Sequence, residues 1–149
     1  MDAEVYPDPR VAEFIARELI PVKIHIKEQP AVFERFGVQW TPTLVMFDAR
    51  GKEVYRFEGF LPPPDFLSHL QLGLAKAAFA RKDFAGAEHQ FRSIVDQLPD
   101  AAAAAEALYW TGVSKYKASG DAAALKETAA QFEQRYRDSE WAKKASVWS

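Results

Sequence analysis

A proline standing directly ahead of an uninterrupted apolar run constrains this chain more than any other feature. The stretch is Gly37-Val38-Gln39-Trp40-Thr41-Pro42-Thr43-Leu44-Val45-Met46-Phe47-Asp48, continued by Ala49-Arg50-Gly51-Lys52 and then Glu53-Val54-Tyr55-Arg56-Phe57-Glu58-Gly59. Proline has no backbone donor, so it suits the first residue of a strand and not its middle. Leu44 to Phe47 then reads as a strand buried on both faces. Asp48 to Lys52 reads as a tight turn in which Gly51 is free to take positive φ, and a second strand follows. A hairpin entered through Pro42 is the fixed point of the fold.

Its flanks are readable by capping and period. Asp8-Pro9 starts a helix, with Asp as N-cap and Pro at the first helical position. Val11, Phe14, Ile15 and Leu19 give that helix one apolar face, and Pro21 ends it. Val22-Lys23-Ile24-His25-Ile26 alternates as a strand should, and Pro30 opens a short helix through Phe36 that Gly37 closes. Beyond the hairpin, Pro62-Pro63-Pro64-Asp65 is an elbow into a helix running to about Arg81. Three more helices are expected over about 84–98, 101–118 and 122–137, with Pro99-Asp100 stopping one and capping the next. Ser139 caps a short last helix.

These residues resemble two known families. The stretch from Val38 to Gly59 resembles the C-terminal half of a thioredoxin fold, in which a Thr-Pro or similar pair precedes a buried strand and an antiparallel hairpin. The later helices resemble tetratricopeptide repeats. Ala87-x3-Phe91 followed by Pro99 fits that signature, Trp110 and Gly112 resemble the first-helix pattern of a second unit, and Arg137 stands where a proline is expected. The fold class expected is therefore α/β plus all-α. A thioredoxin-like unit over residues 1–68 precedes tetratricopeptide-like helical hairpins over 65–149, and the helix near 65–81 belongs to both.

The thioredoxin resemblance begins in mid-fold. It implies an earlier strand ending in Cys-x-x-Cys, lying between Val22–Ile26 and Thr43–Phe47, and the present chain has no cysteine at all. In many relatives that motif is closely followed by a methionine, an acidic residue and a segment like Val5-Tyr6-Pro7-Asp8-Pro9-Arg10-Val11. The expectation is that Met1 is an internal methionine and the chain the remainder of a longer redox protein. Without cysteine, disulfides, thiolate catalysis and thiolate metal sites are all out of reach of these residues.

The resemblance also implies the candidate site. In the family the proline matching Pro42 is cis and faces the cysteine pair, and the residue before it, here Thr41, offers backbone groups to an extended substrate. Trp40 is expected to pack in a core or an interface rather than to recognise a ligand. No catalytic residue, metal ligand or cofactor is expected. His25, His69 and His89 lack ligand spacing, and Asp8, Asp48, Glu53 and Glu58 form no evident acid/base pair. Phosphate-cradling and serine-hydrolase motifs are missing as well. Tyr109, Trp110, Tyr116, Phe132, Tyr136, Trp141 and Trp148 read as core rather than as a peptide groove.

Charge and length bound the partners. A net charge of −2 with both signs interspersed gives no general attraction to nucleic acid or anionic lipid. No apolar run approaches the roughly 20 residues that span a bilayer, and the acidic N-terminus has no secretion-signal core, so a cytoplasmic protein is expected. The expected function is a non-catalytic, protein- or peptide-binding scaffold. The alternative is a thiol–disulfide oxidoreductase whose Cys-x-x-Cys segment lies upstream of Met1, and a third reading has a second copy pairing through exposed strands.

Overall fold

A computed structural model describes residues 1–149. Its elements are α1 (Pro9–Glu18), α2 (Pro30–Arg35), β1 (Thr43–Phe47), β2 (Glu53–Glu58), α3 (Pro63–Ala80), α4 (Phe84–Gln97), α5 (Ala104–Ser119), α6 (Ala123–Arg135) and α7 (Glu140–Ala145), followed by a 3₁₀ turn at Ser146–Trp148. Two strands and seven helices thus combine a partial α/β unit with an all-α region. The local signals act as their chemistry dictates. The Asp8 carboxylate accepts from the backbone N–H groups of Arg10 and Val11, and Ser139 accepts from that of Ala142. Gly37 and Gly51 take φ of +62° and +78° at the turns they were expected to make.

β1 and β2 form a two-stranded antiparallel sheet in which Thr43 faces Glu58 and Val45 faces Arg56. A bulge between Met46 and Phe47 shifts the register as the Asp48 turn is reached. β1 is only half-buried, and Phe47 is exposed, which corrects the expectation of burial on both faces. The reason is that α3 covers one face of the hairpin, whereas the other meets only short α2, through Phe36 against Phe47 and a 2.6 Å bond from Arg56 to the Phe36 carbonyl.

Val22–Ile26 is not a strand. The segment runs without regular structure, and Val22 is 78 % and Ile26 49 % exposed. Its alternation is real, but no other strand lies alongside to complete a ladder, and an unpaired strand has nothing to hold it.

Two cores share one helix. Val5, Val11, Phe14, Phe57, Phe66, Leu67 and Leu70 form one cluster, joining α1 and β2 to the first half of α3. The second contains Leu72, Ala75 and Ala78 from the other half of α3, together with Phe91, Ile94, Leu108 and Phe132 from α4, α5 and α6. Helices α3 to α6 pack successively on one another, and α7 closes against α5 and α6. Of the seven aromatics read as core, Phe132 is buried, and Tyr109, Trp110, Tyr136, Trp141 and Trp148 pack against the second cluster; Tyr116 is exposed. Tyr109 stacks on Trp148 at 4.6 Å and leans on Trp141 at 5.2 Å between ring centroids.

The start of α5 departs from expectation. Asp100 does not cap it; the helix begins at Ala104 and its own N-cap residue, Ala103, has no side-chain acceptor. The acceptors come from α3. Asp65 Oδ1 takes the Ala102 N–H at 2.7 Å, and Ser68 Oγ, which donates to the Asp65 carbonyl, takes the Ala103 N–H at 3.4 Å. An alanine run offers no cap of its own, so the neighbouring helix supplies one. Asp65→Ala is expected to lower stability by about 1 kcal/mol, the usual worth of a lost cap. Urea denaturation reads it, with loss of amide protection centred on Ala102.

Candidate functional site

Trp40, Thr41 and Pro42 sit together at the open end of the hairpin, where β1 begins. The Thr41–Pro42 peptide bond is cis. Thr43 Oγ1 donates to the Trp40 carbonyl at 2.6 Å, and the Gly59 N–H donates to the Pro42 carbonyl at 2.8 Å, so the loop is tied at both ends. Between those ties the backbone is free. The N–H groups of Trp40 and Thr41 and the Thr41 carbonyl make no hydrogen bond within the chain. Gln39, Trp40 and Thr41 are all exposed. Trp40 is 68 % exposed and lies in neither core, which corrects the core half of the expectation that it packs in a core or an interface. The register sends Phe60, also exposed, out of the same end of the hairpin. Two aromatic side chains and a run of unsatisfied backbone groups therefore share one edge of the molecule.

The other polar candidates are kept apart. Asp8 caps α1, and Asp48 accepts from the N–H groups of Arg50 and Lys52 at its own turn. Glu53 pairs with Arg56 at 2.8 Å, and Glu58 is exposed. The Arg10 and Asp48–Lys52 bonds lower the pKa of Asp8 and Asp48, and Arg56 does so for Glu53, each by favouring the charged form. These carboxylates are anions with assigned partners, not a proton-transfer pair. No three of the His, Asp and Glu side chains cluster as metal ligands would. A shallow cleft of about 260 Å³ opens between α1, α3 and the end of α4, but its Arg10 and Arg17 are engaged by Asp8 and Glu18.

One polar group escaped the sequence reading. His69 on α3 meets the Tyr55 hydroxyl of β2 at 2.6 Å through Nδ1 and stacks beside Tyr55 and Phe57. Lys76 lies over the Tyr55 ring and pairs with Glu106 of α5 at 2.5 Å, and Trp110 Nε1 donates to the same carboxylate. His69 and Lys76 share α3, and the packing of β2 and α5 on that helix is what brings Tyr55 and Glu106 to them. Burial, and secondarily Glu106, raises the Tyr55 pKa, so its hydroxyl stays protonated beside His69 Nδ1.

Burial also lowers the His69 pKa, with Lys76 acting in the same sense and Glu106 and Asp65 opposing. The unfolded chain therefore binds this proton more readily than the folded one, and stability from His69 is full above the ordinary value of 6.5. It declines as pH falls through that value and levels off below the folded pKa. The denaturation midpoint is expected to drop between about pH 7.5 and 5.5, a window set by the ordinary histidine value, and the slope to flatten in His69→Gln.

Comparison with known families gives one match. The model of a thioredoxin-like domain matches residues 1–73, so a thioredoxin-like domain is present in this part of the chain. Neither the curated proteins nor the solved structures provide a significant match.

Proposed function

We propose that this chain is a non-catalytic protein-binding module. Its thioredoxin-like domain presents the Trp40–Thr41–Pro42 loop to an extended polypeptide, and tetratricopeptide-like helical hairpins carry and brace it. The observation that supports this most is the pairing of free backbone donors and acceptors at Trp40 and Thr41 with an exposed Trp40 ring. A peptide in extended form can complete those bonds, and an aromatic at the rim adds contact area at low entropic cost. Apart from Tyr116, the aromatics read as core in the helices behind it are buried or pack against the second cluster, which suits a brace rather than a groove.

The test is a titration of the isotope-labelled chain with an unfolded, S-alkylated polypeptide. The Trp40 indole and Thr41 amide resonances are expected to shift, and Trp40→Ala to weaken binding about tenfold, the effect of losing one modest interface anchor. Shifts confined to α4–α7, or none, would refute the reading.

A second reading is favoured by a specific gap. Val22–Ile26 and the outer edge of β1 both lack a strand partner. A strand supplied by a longer natural chain, carrying two cysteines ahead of α1, would make the protein a thiol–disulfide oxidoreductase. Intact mass and thiol titration of the natural product decide between the two.

A further inference from the structure

The cleft between α1, α3 and the end of α4 combines an apolar floor with charges of both signs and an amide that lacks a partner. Its floor is Phe14 and Leu67, both buried members of the first core, with Leu98 beside them. Arg10, Glu13 and Arg17 line it from α1, spaced by three and four residues and so on one face of that helix. Asp8 and Glu18 occupy only part of the two guanidinium groups. Asp8 takes Nε and one terminal nitrogen of Arg10 at 3.4 Å each, and Glu18 takes only Nε of Arg17. A guanidinium carries five N–H donors, so both arginines keep some for another anion. Glu13 is left without a cation, because both arginines pair elsewhere. Gln71 of α3 lines the same cleft, and its Oε1 is sealed from water with no donor to meet it. A buried acceptor without a donor is costly and rare in native proteins. The last torsion of a glutamine side chain is soft, so this amide can turn to an N–H group placed in the cleft.

We infer that this cleft binds an apolar amino-acid residue bearing a free α-carboxylate, whether as the free amino acid or at the end of a polypeptide. Each part of that ligand answers one part of the lining. The carboxylate meets the free N–H groups of Arg10 and Arg17, a pairing in which charge strengthens the hydrogen bonds. The ligand N–H supplies the donor that Gln71 Oε1 lacks, and Glu13 favours positive charge at the same nitrogen. The side chain covers Phe14, Leu67 and Leu98, which are otherwise the wetted edge of a core. A fatty acid offers the carboxylate without the donor, and an amine the donor without the carboxylate. At about 260 Å³ the cleft lies just under the roughly 300–1,000 Å³ of drug-sized sites, which suits a single residue.

The test is a titration of the isotope-labelled 149-residue chain with leucine and with the tripeptide Gly-Gly-Leu. The Gln71 side-chain amide and the Arg17 Nε–H resonances are expected to shift, with a dissociation constant of about 1 mM for so small a ligand. Whichever of the two binds more tightly identifies the source, a free amino acid or a chain end. Leucinamide lacks the carboxylate and isocaproate lacks the N–H, and each is expected to bind at least about tenfold more weakly than leucine. Arg17→Gln is expected to cost the same factor. Gln71→Met keeps the length of the side chain and removes the unpaired acceptor, so the melting temperature is expected to stay or rise while affinity falls about tenfold. A variant that melts no earlier is folded, and its loss of binding reads the cleft alone. No shift at these residues up to the solubility of both ligands would overturn the inference. Equal binding of leucinamide, or unchanged affinity in Gln71→Met, would overturn it as well. Peptide binding at Trp40 is read from other resonances, so either result stands without the other.

Discussion

Replacing Phe66 with alanine is expected to destabilise the protein by about 3–5 kcal/mol, the range for deleting a large aromatic from a packed core. For a chain of this length that is a fall in melting temperature of roughly 6–20 °C. Phe66 is fully buried and sits edge-on to Tyr6 at 5.8 Å and Phe57 at 5.6 Å, so its ring joins the N-terminal turn, β2 and α3. Its cluster has only seven buried residues, leaving few neighbours to close the cavity. The same substitution also tests how far the two cores are coupled. Because α3 enters both, loss of Phe66 is expected to shift a single calorimetric transition, as Phe91→Ala in the other core should. Two transitions, one unmoved by each variant, would show that α3 does not transmit the loss.

Valine at Gly112 is expected to cost about 1–3 kcal/mol, the usual penalty of overpacking. Gly112 lies buried in α5, where glycine is intrinsically worse than alanine by about 1 kcal/mol. Its presence is explained by α6, because a Cβ there would overlap the Thr128 side chain down to its own Cβ. Thr128 is stiff at χ1 and is held by a 2.8 Å bond from its hydroxyl to the Ala124 carbonyl, so it cannot turn aside. Gly112→Ala combined with Thr128→Gly moves the missing Cβ from one helix to the other. Thermal denaturation should show the pair recovering part of what Gly112→Val loses. If the pair is no better than Gly112→Val, the contact is not what requires glycine.

Much of this is legible in the sequence alone. Asp8-Pro9, Gly37, Gly51 and Ser139 carry their instructions within a few residues, and those elements form where they were read. The hairpin and the helical stack follow from apolar spacing. What failed was whatever depended on a distant partner. Val22–Ile26 has the period of a strand, but strand formation needs a neighbour, which period does not report. Asp100 looked like a cap because it preceded a helical run, and the cap came instead from Asp65, in another helix. The hydrophobic area of Trp40 suits a core or an interface equally, and its exposure at the open end of a two-stranded sheet rules out the core. The trio Trp40, Thr41 and Pro42 was found through family resemblance, whereas Tyr55 and His69 lie fourteen positions apart and meet only when β2 lies on α3.

The part of the chain recognisable by similarity ends at Gly73, in the middle of α3. A gene fragment cut there would sever the helix between Leu72 and Leu74, strip α5 from Asp65 and Ser68, and leave the Leu72 side chain in water. The unit defined by similarity and the unit defined by packing are therefore different lengths of polypeptide. Any transplant of the N-terminal half into another protein has to carry at least α3 to α5 with it.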